Sequence, residues 1–160
     1  MEVPDKNTAN PQTNSQPEQV EIFLPSTLGY EKVARNAAEA VAEEMGFSPD
    51  RIEDLKTAVA EACMNAIEHG NLEDRTTSVT VLLTAAPRQL EVRVSDEGLK
   101  PMPETFEMPG RPDANNRGLG MFFITHLVDE VETYRLPKGG NVVRMVIYLT
   151  PPNESSATSR

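Results

Sequence analysis

The spacing of apolar residues changes along the chain, and each change marks an element. Over Gln19–Leu24 the apolar residues Val20, Ile22 and Leu24 alternate about Glu21, the two-residue repeat of a half-buried strand; Phe23 blurs it and Pro25 ends it. From Leu28 to Met45 the spacing becomes helical through Val33, Ala37, Ala40, Val41 and Met45, with Ser26 or Thr27 placed to cap and Gly46 to stop the helix. Ser48-Pro49 opens a second helix, since Pro has no N–H to waste at the first helical position. Its apolar stripe is Ile52, Leu55, Val59, Ala62 and Ala66, and it runs to about Glu68–Gly70. Ser78–Ala85 and Leu90–Ser95 predict a hairpin about Pro87-Arg88-Gln89, and Glu130–Arg135 and Val142–Leu149 a second about Gly139-Gly140-Asn141. A short helix, Met121–Val128, lies between the hairpins.

The order is therefore β-α-α-β-β-loop-α-β-β. Strands that fall in neighbouring hairpins make a mostly antiparallel sheet, with the helices on one face: a two-layer α+β fold rather than a doubly wound one. The stretch from Glu97 to Arg117 carries four prolines and no clear periodicity, and its length predicts a functional lid rather than a plain connector. Residues 1–17, rich in Asn, Gln, Pro and Thr, and residues 151–160 read as disordered tails around one domain, 18–150.

Composition narrows the function. The single cysteine, Cys63, excludes an internal disulfide and a multi-cysteine metal site. Residues 1–17 lack the apolar stretch of a signal peptide, and no apolar run approaches the ~18–20 residues needed to span a bilayer. The expectation is a cytoplasmic protein without a membrane partner. A net charge of −10, from 15 basic and 25 acidic residues, argues against direct nucleic-acid binding, which depends on neutralising phosphates. It suits a partner with a basic surface, or solubility alone.

Three segments hold candidate chemistry. Glu61, Asn65 and His69 stand four apart on one face of the second helix. Taken alone, such a row reads as the solvated side of an amphipathic helix. Yet Asn competes with helical backbone, and its carboxamide oxygen is a hard neutral ligand suited to Mg²⁺. Asp96-Glu97-Gly98 ends a strand, where Asp commonly forms a turn but can also accept from an exocyclic amine. Arg117-Gly118-Leu119-Gly120 leads into a helix, whose exposed N–H groups can bind phosphate. It is neither a P-loop nor a dinucleotide fingerprint.

In combination these segments resemble a known family. Glu61-Ala62-Cys63-Met64-Asn65-Ala66-Ile67-Glu68-His69-Gly70 resembles the N-box of the Bergerat-fold (GHKL) ATPases, Asp96-Glu97-Gly98 the first glycine box, and Arg117-Gly118-Leu119-Gly120-Met121-Phe122-Phe123-Ile124 the second. The Glu-x-x-x-Asn-Ala-x-x-His-Gly form and the Leu127-Val128-Asp129-Glu130-Val131 continuation are most similar to the bacterial anti-sigma-factor serine kinases. The resemblance covers roughly Val20 to Leu149.

What it implies is an ATP-dependent protein-serine kinase that sequesters a sigma factor and phosphorylates an anti-anti-sigma antagonist, and that acts as a homodimer. Asn65 would bind Mg²⁺ and Glu61 would be the catalytic base. Asp96 and Gly98 would meet adenine, and Arg117, Gly118, Leu119, Gly120 and Met121 would wrap the phosphates of ATP. His69 matches a family position, where packing at the helix end is the expected role. The sequence departs from the family at Lys100 and at Asn141, where a Thr commonly stands and where Asn could bond a partner. Those departures keep open a second reading, a non-catalytic ATP-sensing module. A histidine-kinase fragment is disfavoured, because no dimerising helical pair with a phosphoacceptor His is legible.

Overall fold

The computed structural model describes residues 16–102 and 119–150. Strand β1 (Glu18–Pro25) leads to α1 (Glu31–Met45) and α2 (Pro49–Asn65), which widens into a π-helical turn over Ala66–Gly70. The hairpin β2 (Ser78–Ala86) and β3 (Gln89–Ser95) follows, then α3 (Leu119–Leu127), and β4 (Glu130–Arg135) and β5 (Asn141–Tyr148) close the fold. The five strands form one antiparallel sheet in the order β1-β2-β3-β5-β4. This is the expected two-layer α+β arrangement. The tails at 1–15 and 151–160, the expected lid beyond Met102, and Arg117 and Gly118 lie outside the described residues.

The core follows from the period-2 and period-3.6 patterns. Val79, Val81 and Leu83 of β2, Leu90, Val92 and Val94 of β3, and Val143, Met145 and Ile147 of β5 join the helices in a single apolar cluster. Helix α2 contributes Ile52, Leu55, Ala58, Val59, Ala62 and Cys63. Helix α1 departs from expectation. Ala34, Ala38 and Ala42 are its buried residues, while Val33 is 49% exposed and Ala40 is exposed. Alanines on the inner face let α1 approach α2 closely, and Ala37 with the bulkier Val41 and Met45 flanks that seam half-buried.

Helix ends match the sequence where the capping chemistry is local. Gly46 ends α1 with φ +85, and Ser48 caps α2, its Oγ accepting from Arg51 N at 3.4 Å. The start of α1 does not match. Its cap is Tyr30, without a side-chain bond, and Ser26, four residues earlier, is committed elsewhere. Ser26 is buried; its Oγ donates to Thr77 O (3.1 Å) and accepts from Asn71 Nδ2 (2.8 Å). Asn71, also buried, further donates to Ser78 O at 2.9 Å and accepts from Glu97 N at 2.7 Å. One carboxamide thus ties together the end of β1, the start of β2 and the loop after β3, just beyond the π-turn. Among the described residues no helix is long and apolar enough to cross a membrane.

Candidate functional site

Asp96 follows β3 and is 6% exposed. Burying a carboxylate is costly unless donors surround it. Its Oδ1 accepts from Gly98 N (2.8 Å), Asn141 N (3.0 Å) and Asn141 Nδ2 (3.2 Å). Its Oδ2 has a weaker hold, a 3.5 Å approach of the same Asn141 Nδ2. One oxygen is therefore an anchor and the other an acceptor with capacity to spare.

Glycines make room for that carboxylate. A Cβ at Gly70 would collide with the Asp96 side chain, one at Gly98 with the Gly70 carbonyl, and one at Gly140 with the Asp96 carbonyl. The π-turn has a visible consequence here: it brings the backbone of Gly70 directly against Asp96. Asn141, 3% exposed, donates to Lys100 O (2.9 Å) and accepts from Met102 N (3.2 Å) and Arg135 Nη1 (3.4 Å). Arg135 Nη2 donates to Leu99 O at 2.7 Å. Asn141, which by its sequence position could bond a partner, finds partners within the chain among the described residues. Its hydrogen-bonding groups are used inside the fold, holding Asp96 and the 98–102 loop. Lys100 is exposed, and its backbone carbonyl is the part that the loop uses.

The second half of the site lies one to two turns back along α2. Glu61 and Asn65 both face the start of α3. A Cβ at Gly120 would stand 2.6 Å from Glu61 Oε2, 3.4 Å from Asn65 Nδ2 and 3.7 Å from Asn65 Oδ1. The sequence row is therefore not a solvated helix face, because α3 packs over it at a residue with no side chain. Leu119, Gly120 and Met121 form the first turn of α3, whose N–H groups have no partner within the helix. The Met121 side chain is 3% exposed and belongs to the core, so its contribution to a ligand can come only from its backbone. His69 is half-buried, with Nε2 3.8 Å from Glu68 Oε2.

Burial, and secondarily the negative charge of Glu68, raises the Glu61 carboxyl above its ordinary pKa of 4.5. Both effects disfavour the ionised form. Any activity that needs ionised Glu61 should fall on acidification at a higher pH than for a solvated glutamate. Glu68→Gln is expected to move that acid limb to lower pH, which a pH–rate profile of wild type and variant would show; superimposable profiles would remove Glu68 from the account.

A cation fits this donor set chemically. Among the described residues no three His, Cys, Asp or Glu side chains cluster as a metal site. A hard cation that draws most of its ligands from phosphate and water instead needs few protein oxygens, such as those of Asn65 and its neighbour Glu61. The sequence located Glu61, Asn65, Asp96 and Gly98 and gave no weight to Gly70, Asn71, Arg135 and Gly140. Gly70 closes the N-box segment and Gly140 sits in an obvious turn, but their meeting at Asp96 depends on the π-turn for the one and on the sheet order for the other.

The chain matches the family described as "Histidine kinase-like ATPase domain" over residues 24–147. It is 35% identical over 112 residues to "Serine-protein kinase RsbW" of Bacillus subtilis (strain 168), covering 70% of this chain and 64% of that protein. It is 32% identical over 124 residues to the protein of the same name from Bacillus cereus (strain ATCC 10987 / NRS 248), covering 72% and 76%. The match thus spans just under two thirds of the length of the B. subtilis relative. A crystal structure of the RsbU and RsbW domains of a Mycobacterium tuberculosis protein superposes with a TM-score of 0.59 at 20% identity, covering 81% of this chain and 32% of that one, a likeness of fold.

Proposed function

Because this chain belongs to the family of histidine kinase-like ATPase domains, we propose that it is a cytoplasmic, ATP-dependent protein-serine kinase that also sequesters a sigma factor. Its phosphoryl acceptor is a serine of an anti-anti-sigma antagonist. The observation that carries this reading is the run from Glu61 to Gly70. It meets the start of α3 at one end and Asp96 at the other. Nine residues at 1.5 Å each span about 13 Å, a length an extended nucleoside triphosphate can bridge.

Each end has its task. Asp96 Oδ2 accepts from the exocyclic amine of adenine, while Oδ1 stays anchored by Gly98 and Asn141. Because Oδ2 can only accept, a base with a carbonyl at that position is disfavoured. The N–H groups of Leu119, Gly120 and Met121 face phosphate oxygens at the helix N-terminus, with Arg117 and Gly118 preceding them in the chain. Asn65 would hold Mg²⁺ through its carboxamide oxygen, and the ion, when bound, would offset phosphate charge. Glu61 accepts the proton of the attacking serine hydroxyl, and the rest of the catalysis is positioning and charge stabilisation. The relatives' name, serine-protein kinase, supports the reaction class. A homodimer is in keeping with the exposure of Val20 and Phe23 on β1, an edge strand of the sheet, and of Val33 on α1.

Calorimetry tests the site. Wild type is expected to bind Mg-ATP, and Asn65→Ala to lose the magnesium-dependent part of the affinity, about tenfold or more for one ligand oxygen worth ~1.5–3 kcal/mol. Equal binding by the two proteins, with and without Mg²⁺, would remove the cation from this helix. Transfer of label from γ-labelled ATP to a serine-bearing antagonist tests the reaction.

A further inference from the structure

The contact between Gly120 and the Glu61–Asn65 row requires α3 to stand at one height along α2. The apolar contact between them does not set that height strongly. Ala58 and Ala62 on α2 and Met121, Ile124 and Val128 in and just after α3 belong to one buried cluster. Apolar burial is non-directional and does not by itself single out one register. Something directional must fix the register.

Arg51, in the first turn of α2, meets the opposite end of α3. Its Nη2 donates to Asp129 Oδ2 at 2.5 Å and its Nη1 approaches Leu127 O, the last carbonyl of α3, at 3.4 Å. Asp129 is itself fixed to the sheet: Oδ2 accepts from Tyr148 N at 2.7 Å, and its own N–H donates to Val146 O at 2.9 Å. The Arg51 and Asp129 side chains are only 22% and 17% exposed. The two helices run in opposite directions, so α3 is tied at its C-terminus to Arg51 and meets Glu61 and Asn65 at its N-terminus. Ten residues of α2 separate Arg51 from Glu61, about 15 Å, too far for Arg51 to touch a nucleotide at Gly120.

We infer that Arg51, through Asp129 and Leu127, is a positioning residue for the phosphate end of the site: it sets the register in which the first turn of α3 stands over Glu61 and Asn65. The inference rests on the nucleotide reading above. A planar guanidinium serves because it can reach a carboxylate and a carbonyl together; a lysine keeps the charge and loses the fork.

The test compares Arg51→Gln, Arg51→Lys and Asp129→Asn with wild type. The binding of adenosine, followed by saturation transfer, probes the Asp96 end alone. The binding of Mg-ATP by calorimetry and kcat for phosphoryl transfer probe the far end. Arg51→Gln and Asp129→Asn are expected to weaken Mg-ATP about tenfold and to lower kcat further, with adenosine binding as in wild type and partial recovery in Arg51→Lys. Folded variants that bind Mg-ATP and turn over as wild type does, with only a lower melting temperature, would overturn the inference; so would a parallel loss of adenosine, which marks general damage. Should Arg51→Gln not fold, Asp129→Asn carries the same expectation. A wild-type protein that binds no Mg-ATP would overturn the nucleotide reading itself, an outcome distinct from normal wild-type binding with unaffected variants.

Discussion

Alanine at position 140 is expected to lower the melting temperature by about 10–15 °C and to abolish nucleotide binding, from about 3–5 kcal/mol of combined backbone strain and overpacking at ~2–4 °C per kcal/mol. Gly140 has φ +95, a conformation that L side chains rarely adopt, and a Cβ there would run into the Asp96 carbonyl. Neither partner can yield cheaply. Gly140 N donates to Gly98 O at 3.2 Å, and Leu136 N donates to Gly140 O at 2.9 Å. On the other side, Asp96 N donates to Asn141 O at 2.9 Å. Relief of the clash must therefore part β3 from β5 where Asn141 supports the Asp96 carboxylate. The neighbour supplies a control. Gly139 also has positive φ, +98, but a Cβ there meets nothing within 4 Å. Gly139→Ala should show backbone strain alone, about 1–2 kcal/mol. Thermal melts of the two variants separate contact from strain. A Gly140→Ala protein that melts with Gly139→Ala and still binds ATP would show that the cradle around Asp96 is looser than its geometry.

That cradle also shows what the sequence could and could not disclose. Elements with a clean period, such as β2 and β3, were legible almost to the residue, because each alternating side chain answers to one core. Capping at Gly46 and Ser48 was legible for a similar reason, since the chemistry lies within three residues of the helix end. Ser26 was misread as a cap because its partners, Thr77 and Asn71, lie 51 and 45 residues away. The inner face of α1 was misread because hydrophobicity ranks Val above Ala, whereas close helix packing favours the smaller side chain. In the site, Glu61, Asn65 and Asp96 could be singled out only in combination, through the resemblance of the three segments to one family, because each alone also reads as a solvated helix face or a turn. Gly70 and Gly140 looked like ordinary glycines at a helix end and a turn. The π-turn, which sets Gly70 against Asp96, and the sheet order, which brings β5 beside β3, turn them into walls around one carboxylate.

The other large effect is on chemistry rather than stability. Glu61→Gln is expected to slow phosphoryl transfer by about 10²–10⁴-fold, the range for loss of a positioned general base, while Mg-ATP affinity stays within a few-fold of wild type. The substitution keeps the shape of the side chain and its place beside Gly120, and takes away the carboxylate's ability to accept a proton. It also removes the like charge that Glu68 opposes, so the folded state should be no less stable. The measured drop will separate two contributions. Phosphoryl transfer passes through a loose transition state in which positioning and charge neutralisation do most of the work, so a base adds less than it would to a reaction that needs a strong nucleophile. A loss near tenfold would make Glu61 chiefly an orienting group for the serine hydroxyl, whereas a loss of a thousandfold or more would make proton removal part of the rate-limiting step. Undiminished transfer by Glu61→Gln, with ATP bound, would sink the base assignment. If wild type binds ATP tightly and transfers nothing to any serine-bearing partner, the site is a nucleotide sensor: the Asp96 cradle and the Gly120 contact would then serve to couple ATP binding to the grip on a protein partner.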